Sequence, residues 1–464
     1  MFQFRFVLLC LLAYILFTCK EAPDRAMPDK PEMLPSAAAP DWAKAANIYE
    51  VNVRQYTSEG TFAAFAEHLP RLQAMGVDIL WFMPIHPISE ARRKGTLGSY
   101  YAVADYRGIN PHFGDLEGFK ALVQQIHDRG MRIILDWVPN HTGWDHAWIE
   151  AHPEYYLKDS AGNIIDPINS ETGETWGWTD VAALDYRQPA LREAMIAEML
   201  FWLEEVGVDG FRCDVASEVP DDFWAQAVPR LRQAQPELFM LAESNHPPHR
   251  NEEWFAMTYN WPLHHLMNKI AQGQRPPAAI DEVLAEQQQA YQRGYSMQFL
   301  TNHDENSWNG TIKERLGAAA DAMAVLAFTV EGMPLLYSGQ EAGLDKRLEF
   351  FEKDQIEWGD FPKQAFYTSL LALKHRNAAL WNGSAGGRLV RVAADNPAIY
   401  AYRRVKGEQE VAVVLNLSAA PQEFTLGGHA PAGAYREVFS GDLIEWAKGQ
   451  ALELAPWGYW LLER

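Results

Sequence analysis

The feature that most constrains the fold is an alternation of short apolar segments with amphipathic segments between residues 47 and 377. The apolar segments, such as 77–84 and 131–138, predict buried β-strands. The segments between them have apolar residues at helical spacing, and two of these end before Gly76 and Gly130. Eight such units within about 330 residues predict an α/β fold, a parallel (β/α)8 TIM barrel.

Two regions depart from this alternation. Residues 140–180 are rich in Trp, His, Pro and Gly without a clear period, which predicts a subdomain inserted after strand 3. From residue 383 the chain changes to short apolar segments between Gly and Pro turns, which predicts an antiparallel β-sandwich. We therefore predict a barrel domain over 42–382 and a C-terminal β-sandwich domain over 383–464.

The sequence of the N-terminal segment indicates that the protein is exported from the cytoplasm. An apolar run at 6–17 is too short for a comfortable membrane span and is typical of a signal peptide. It leads into Leu16-Phe17-Thr18-Cys19, which resembles a bacterial lipobox; an uncleaved membrane anchor is the alternative. We predict a signal peptide over 1–19 with Cys19 lipidated, and a Pro/Ala-rich tether over 20–41. The expected location is that of a bacterial outer-membrane lipoprotein, at the cell surface or facing the periplasm.

The net charge of the chain excludes some classes of binding partner. The formal net charge of -21 predicts an acidic surface that repels phosphate backbones, which argues against nucleic acid as a partner. It also argues against electrostatic docking on anionic lipid, so membrane contact is expected only through a lipid anchor. Once Cys10 is removed and Cys19 is lipidated, Cys213 has no partner, and a disulfide framework is not expected.

Polar residues follow several predicted strands, where the active sites of such barrels are built. Arg212 and Asp214 lie two apart in one strand and share a face, so the guanidinium should lower the pKa of the carboxyl group. An ionised Asp there can act as a nucleophile, and a purely structural ion pair is the alternative. A carboxylate pair with a third carboxylate nearby indicates acid–base chemistry on a glycosidic bond. The strand ends deliver these candidates: Asp136, Asn140, His141, Arg212, Asp214, Glu243, His303 and Asp304.

Four segments together resemble the four sequence regions of the α-amylase family, glycoside hydrolase family 13. They occur in the family's order, and Gly332-Met333-Pro334 matches a further family element. The resemblance covers roughly residues 45–464 and implies the same barrel, inserted subdomain and C-terminal β domain. The segments are Asp136-Trp137-Val138-Pro139-Asn140-His141, Gly210-Phe211-Arg212-Cys213-Asp214, Leu241-Ala242-Glu243 and Asn302-His303-Asp304-Glu305-Asn306.

The resemblance implies three catalytic carboxylates. Asp214 would be the nucleophile, Glu243 the general acid/base, and Asp304 the residue that holds sugar hydroxyls. Glu243 must begin protonated in this scheme, so its pKa should be raised. Four further residues would bind the sugar in the cleaved subsite: Tyr101, His141, Arg212 and His303. For Tyr101, the alternative is an ordinary core residue.

The resemblance is incomplete at a calcium site that many family members have. Asn140 matches one ligand, but Ala183 stands where an Asp is expected, and Ser217-Glu218 replaces the usual Lys-His. A hard cation needs several oxygen ligands. We therefore predict that no cofactor is required, with calcium as the alternative.

The predicted function is that of a retaining α-amylase-type hydrolase. The substrate would be an α-glucan, with α-1,4-glucosidic bonds cleaved in starch, glycogen or maltooligosaccharides. An α-glucosidase, a cyclomaltodextrinase-like enzyme or a transglycosylase of the same family is the first alternative. A non-catalytic glycan-binding lipoprotein at the cell surface is the second.

Overall fold

The computed structural model describes residues 33–169, 172–447 and 449–464. The predicted signal peptide, Cys19 and the first part of the predicted tether lie outside these residues. None of the helices in the described ranges is long and apolar enough to cross a membrane.

Eight parallel strands close into a barrel, which confirms the predicted fold class. Neighbouring strands follow chain order, and the eighth pairs with the first. Nearly every strand residue is buried, as expected when helices cover a parallel sheet. The strands are β1 (Ile48–Val51), β2 (Ile79–Phe82), β3 (Arg132–Trp137), β4 (Gly210–Cys213), β5 (Phe239–Ala242), β6 (Met257–Tyr259), β7 (Tyr295–Gln298) and β8 (Met333–Tyr337).

The helices follow the predicted alternation, with some differences; one helical segment, 312–329, is divided into Ile312–Leu316 and Ala320–Thr329 by a 3-10 turn at Gly317–Ala319. The helical segment that ends before Gly76 is divided into Phe62–Ala66 and Leu69–Met75, because Pro70 lacks an N–H and starts a new helix. The helix after β6 was not predicted, although its apolar residues have helical spacing. The longer helices are Leu69–Met75, Leu116–His127, Pro189–Phe201, Asp221–Ala234, Trp261–Ala271, Ala279–Ala290, Ala320–Thr329 and Gln364–Arg376.

The segment between β3 and the helix before β4 folds over the mouth of the barrel. Its ends pair as an antiparallel ribbon of His141–Gly143 with Val181–Ala183. A single helical turn at Trp148–Ala151 and a 3-10 turn at Pro153–Tyr155 lie between them. The ribbon begins four residues after β3 ends, so it holds His141 beside the carboxyl end of that strand.

The C-terminal domain is antiparallel, as predicted, with two layers of unequal size. A six-stranded sheet has the order β9-β10-β11-β16-β13-β14, and a two-stranded sheet pairs β12 with β15. Phe424 and Leu454 of the small sheet share a core with Val414 and Leu462 of the large one. The strands are β9 (Arg388–Val392), β10 (Ile399–Lys406), β11 (Gln409–Asn416), β12 (Gln422–Thr425), β13 (Gly433–Glu437), β14 (Leu443–Trp446), β15 (Ala451–Leu454) and β16 (Tyr459–Glu463).

The end of the predicted tether is not a free linker, and that part of the prediction was wrong. Ala38 is only 1% exposed and shares a core with residues at the N-terminal ends of the barrel strands. The Ala37 N–H donates to Glu253 Oε1 at 2.7 Å, and Arg293 Nη1 donates to the Pro35 carbonyl at 2.8 Å. The small apolar residues at the end of this segment were interpreted as part of a tether. In the structure they cover the end of the barrel opposite its mouth.

Candidate active site

Arg212 is the centre of a carboxylate cluster at the carboxyl ends of β3, β4 and β5. Its side chain is fully buried, and Nη1 donates to Asp136 Oδ1 at 2.9 Å and to Asp214 Oδ1 at 2.8 Å. Nη2 lies 2.9 Å from Glu243 Oε2 but makes no hydrogen bond. The contacts follow from the sheet, because Asp136 is in register with Arg212, and Asp214 and Glu243 each follow the last residue of their strand.

A second group of contacts joins the remaining predicted residues. The Tyr101 hydroxyl lies 3.0 Å from Asp136 Oδ2 and 2.8 Å from His303 Nε2. His303 Nε2 is also 3.3 Å from Asp304 Oδ2, and Nδ1 is 2.5 Å from Glu50 Oε1 at the end of β1. A cleft of about 440 Å³ lies above both groups, and these predicted residues line it: Tyr101, His141, Asp214, Glu243, His303 and Asp304.

The two histidines of the cleft differ in charge. Burial lowers the pKa of His141 to about 4, so this imidazole is neutral near pH 7. Burial also acts to lower the pKa of His303, but Asp304 and Glu50 outweigh it and raise this pKa to about 9. His303 is therefore a cation that faces two carboxylates, whereas His141 can offer a neutral N–H to a ligand.

Asp214 and Glu243 differ from the sequence prediction in their protonation. Burial raises the pKa of Asp214 well above its ordinary value despite Arg212. Burial also acts to raise the pKa of Glu243, but Arg212 and the Val215 N–H, which donates to Oε2 at 2.9 Å, lower it overall. The predicted order was wrong for the free protein, because it assigned Arg212 to Asp214 alone. The two carboxyl groups act directly on each other's pKa, so they titrate as a pair.

The backbone at Val215 explains how its N–H reaches Glu243. Val215 has φ 38° and ψ 45°, the left-handed region that β-branched residues rarely adopt. Such strain persists only where surrounding structure imposes it, and it is common at active sites.

Glu50, which lies buried beside His303, and several residues that line the cleft were not predicted. Glu50 could have been found by asking what β1 delivers at its carboxyl end, as was done for four other strands. Trp178 and Phe350 lie in irregular segments and Trp308 in the five-residue π-helix Glu305–Asn309, so no period marks them as cleft residues. Lys94 also lines the cleft, and its Nζ forms an ion pair with Asp180 Oδ1 at 2.8 Å.

The residues at the expected calcium position do not fit the ion. Asn140 Nδ2 lies 3.3 Å from His141 Nδ1, and its backbone carbonyl accepts from the Leu184 N–H at 3.1 Å. Ala183 supplies only a buried methyl group where a carboxylate is expected. Within the described ranges, the Asp, Glu, His and Cys residues do not form a group of three that could hold a metal.

Comparison with known proteins gives the family. The family model for the α-amylase catalytic domain matches residues 43–387, and that for the maltogenic amylase C-terminal domain matches residues 390–461. The chain belongs to the α-amylase family of glycosidases. The barrel, the inserted segment and the C-terminal sheet domain described above therefore belong to an α-amylase-family enzyme.

Individual α-amylase-family relatives are similar along most of the chain. "Alpha-amylase MalA" of Haloarcula japonica is 28% identical over 395 residues, covering 82% of this chain and 57% of that protein. A cyclomaltodextrinase of Bacillus sp. is 27% identical, covering 77% of this chain and 65% of that protein. The crystal structure of the noncanonic maltogenic α-amylase AmyB from Thermotoga neapolitana superposes with a TM-score of 0.82 at 28% identity, covering 91% of this chain and 99% of that one.

Proposed function

We propose that this protein hydrolyses α-1,4-glucosidic bonds in maltooligosaccharides and cyclic maltodextrins with retention of configuration. The main support for this proposal is the pair of carboxyl groups, Asp214 and Glu243, that the buried Arg212 guanidinium contacts at the floor of the cleft. An inverting enzyme needs its carboxyl groups about 6.5–9.5 Å apart to admit a water, whereas a retaining enzyme needs about 5–5.5 Å. A pair of carboxyl groups that both contact one guanidinium and act directly on each other's pKa favours the shorter class.

In this mechanism Asp214 attacks the anomeric carbon while Glu243 protonates the leaving oxygen. A sugar that enters the cleft separates the two carboxyl groups, and the reaction then needs one of them protonated and the other ionised. We assign the proton to Glu243, because the Arg212 Nη1 hydrogen bond favours ionised Asp214 once the two groups are apart. The sugar must then outweigh Arg212 and the Val215 N–H, which lower the pKa of Glu243 in the free protein. Glu243 then deprotonates a water that cleaves the glycosyl ester, which restores both groups.

The other predicted residues act on the sugar that reacts. Asp304 accepts from its hydroxyl groups, neutral His141 and cationic His303 donate to them, and the Tyr101 ring lies beneath it. The contacts of Tyr101 with Asp136 and His303 fix its hydroxyl group, so the ring is pre-oriented.

The substrate part of the proposal follows the relatives. Two of them are cyclomaltodextrinases, one similar solved structure is a maltogenic α-amylase, and the C-terminal domain matches the maltogenic amylase type. We therefore favour the cyclomaltodextrinase-like alternative over a plain α-amylase of starch. Equal protein amounts should degrade cyclomaltodextrin and maltoheptaose faster than starch. Faster loss of starch, with a broad range of long products, would favour the α-amylase.

The mechanism is tested by stereochemistry and by two variants. Proton NMR of the first product should show the α-anomer, and a β-anomer before mutarotation would refute retention. Asp214→Asn should lose nearly all activity, and Glu243→Gln should lose less with α-glucosyl fluoride, whose leaving group needs no acid. Asp209→Asn is the control, because this buried carboxylate lies at the opposite end of β4 and contacts His127 and Arg132.

A further inference from the structure

A second cavity lies behind the loop 93–99, which forms part of the wall of the cleft. Arg93 and Leu97 line the second cavity, whereas Lys94 and Ser99 line the cleft. The second cavity has a volume of about 490 Å³, which is enough for a small organic molecule. Because the three catalytic carboxylates do not line it, it is separate from the site of the proposed hydrolysis.

The first of three cations in this cavity, Arg54, is buried without a paired carboxylate. Only 4% of the residue is exposed, and its Nη1 donates to the carbonyl oxygens of Gly98 at 3.0 Å and Phe350 at 3.2 Å. Its Nη2 donates to the Leu97 carbonyl at 3.3 Å. Among the described residues, no Asp or Glu forms an ion pair with Arg54, so backbone dipoles alone compensate its charge.

Lys353 and Arg93 add two further cations with little neutralisation. Lys353 Nζ donates to the carbonyl oxygens of Arg54 at 2.6 Å and Thr57 at 2.7 Å. Arg93 Nη2 lies 3.9 Å from Glu90 Oε1, and the Glu90 side chain is 86% exposed. An ion pair that is this long and open to water contributes little.

The three cations act on one another. Burial lowers the pKa of Arg54, and the charge of Arg93 lowers it further. Burial also lowers the pKa of Lys353, with Arg54 acting in the same direction and Glu59 against it. Both arginines lie against Gly98, since Arg54 donates to its carbonyl and Arg93 Nε would lie 3.3 Å from a Cβ built there. Positive charge is therefore concentrated in one cavity of a chain whose net charge is -21.

We propose that this cavity binds a phosphate group, either as inorganic phosphate or as part of a small phosphorylated molecule. Guanidinium and ammonium groups form strong charge-assisted hydrogen bonds to phosphate oxygens, and the anion relieves the repulsion among the cations. Asn110 also lines the cavity; its Oδ1 accepts from the His112 N–H at 3.0 Å, and its Nδ2 can still donate. Pro87, Ile88 and Phe113 provide an apolar wall for the rest of a larger ligand.

Calorimetry of the full chain at constant ionic strength tests the site with inorganic phosphate and with glucose 6-phosphate. Both should bind and raise Tm, whereas glucose and chloride should do neither. Arg93→Gln and Lys353→Gln should each weaken binding about tenfold, and Arg93→Lys should lose less because it keeps the charge. Equal affinity for the two ligands would assign recognition to the phosphate group alone, and tighter binding of glucose 6-phosphate would add the apolar wall.

Arg129→Gln is the matched control. Arg129 is also partly buried and also donates to a backbone carbonyl, that of Gln125 at 2.8 Å. It lies shortly before β3, at the end of the barrel opposite the mouth, and it does not line the cavity. Phosphate should therefore bind to this variant as it binds to the wild type.

The inference is overturned if neither ligand binds. It is also overturned if Arg93→Gln and Lys353→Gln bind phosphate as tightly as the wild type, because the anion would then occupy another surface. The Tm of each ligand-free variant shows whether it is folded, and if one of the two fails to fold, the other decides. The measurement requires no hydrolysis, so its outcome is independent of the proposed function.

Discussion

Replacing Glu50 with Gln should move the alkaline limb of the pH–activity profile toward neutrality. Glu50 Oε1 lies 2.5 Å from His303 Nδ1, and both side chains are buried. Burial alone would lower the pKa of His303, but Asp304 and Glu50 raise it to about 9. Glutamine keeps the shape and one hydrogen-bonding oxygen but removes the negative charge.

The expected shift of the alkaline limb is bounded by how far the pKa of His303 lies above its ordinary value. A rise from 6.5 to about 9 corresponds to about 3 kcal/mol in favour of protonated His303 in the folded protein. Because the folded pKa lies above the unfolded one, this stabilisation is fully present below pH 6.5 and is lost as the pH rises through 9. Asp304, which also raises this pKa, stays in the variant, so we expect the alkaline limb to move by about one pH unit rather than by the whole shift.

The assay is kcat/KM for maltotriose between pH 6 and pH 10, with the His303 ring protons followed by NMR. Glu341→Gln is the control, because Glu341 is another fully buried carboxylate. Its Oε1 accepts from Tyr49 at 2.6 Å and from Arg71 at 2.9 Å, and it does not line the cleft. Glu341→Gln should lower the free energy of unfolding and leave the alkaline limb of the pH–activity profile unchanged. An unshifted limb in Glu50→Gln, or the same shift in both variants, would refute the reasoning.

Three further predictions are independent of that one. Activity should survive dialysis against a chelator, since Ala183 offers no oxygen ligand; a large loss that calcium restores would contradict this. Gly210→Ala should lower the free energy of unfolding by more than about 3 kcal/mol, because the new Cβ would lie 1.8 Å from the Phe239 carbonyl oxygen. Gly130→Ala has open space and should cost only about 1 kcal/mol, so chemical denaturation showing equal losses would be inconsistent. Mass spectrometry of the mature N-terminus should find lipidated Cys19, and an intact Met1 would count against it.

The sequence alone determined the barrel and most of its site. Strand and helix periods are properties of consecutive residues, so the alternation of segments such as 77–84 and 116–129 was enough to predict eight units. Once the sheet is parallel, the carboxyl ends of its strands meet at one edge. That is why Arg212, Glu243 and His303 could be brought to one mouth without knowing any distance.

Only the tertiary structure decided how these groups influence one another. The proton order of Asp214 and Glu243 depends on which oxygens one guanidinium reaches and on a strained N–H at Val215. The charge of His303 depends on Glu50, 253 residues away in the chain. Short-range patterns do not encode such contacts, because each energy depends on distances between residues that only the folded chain brings together.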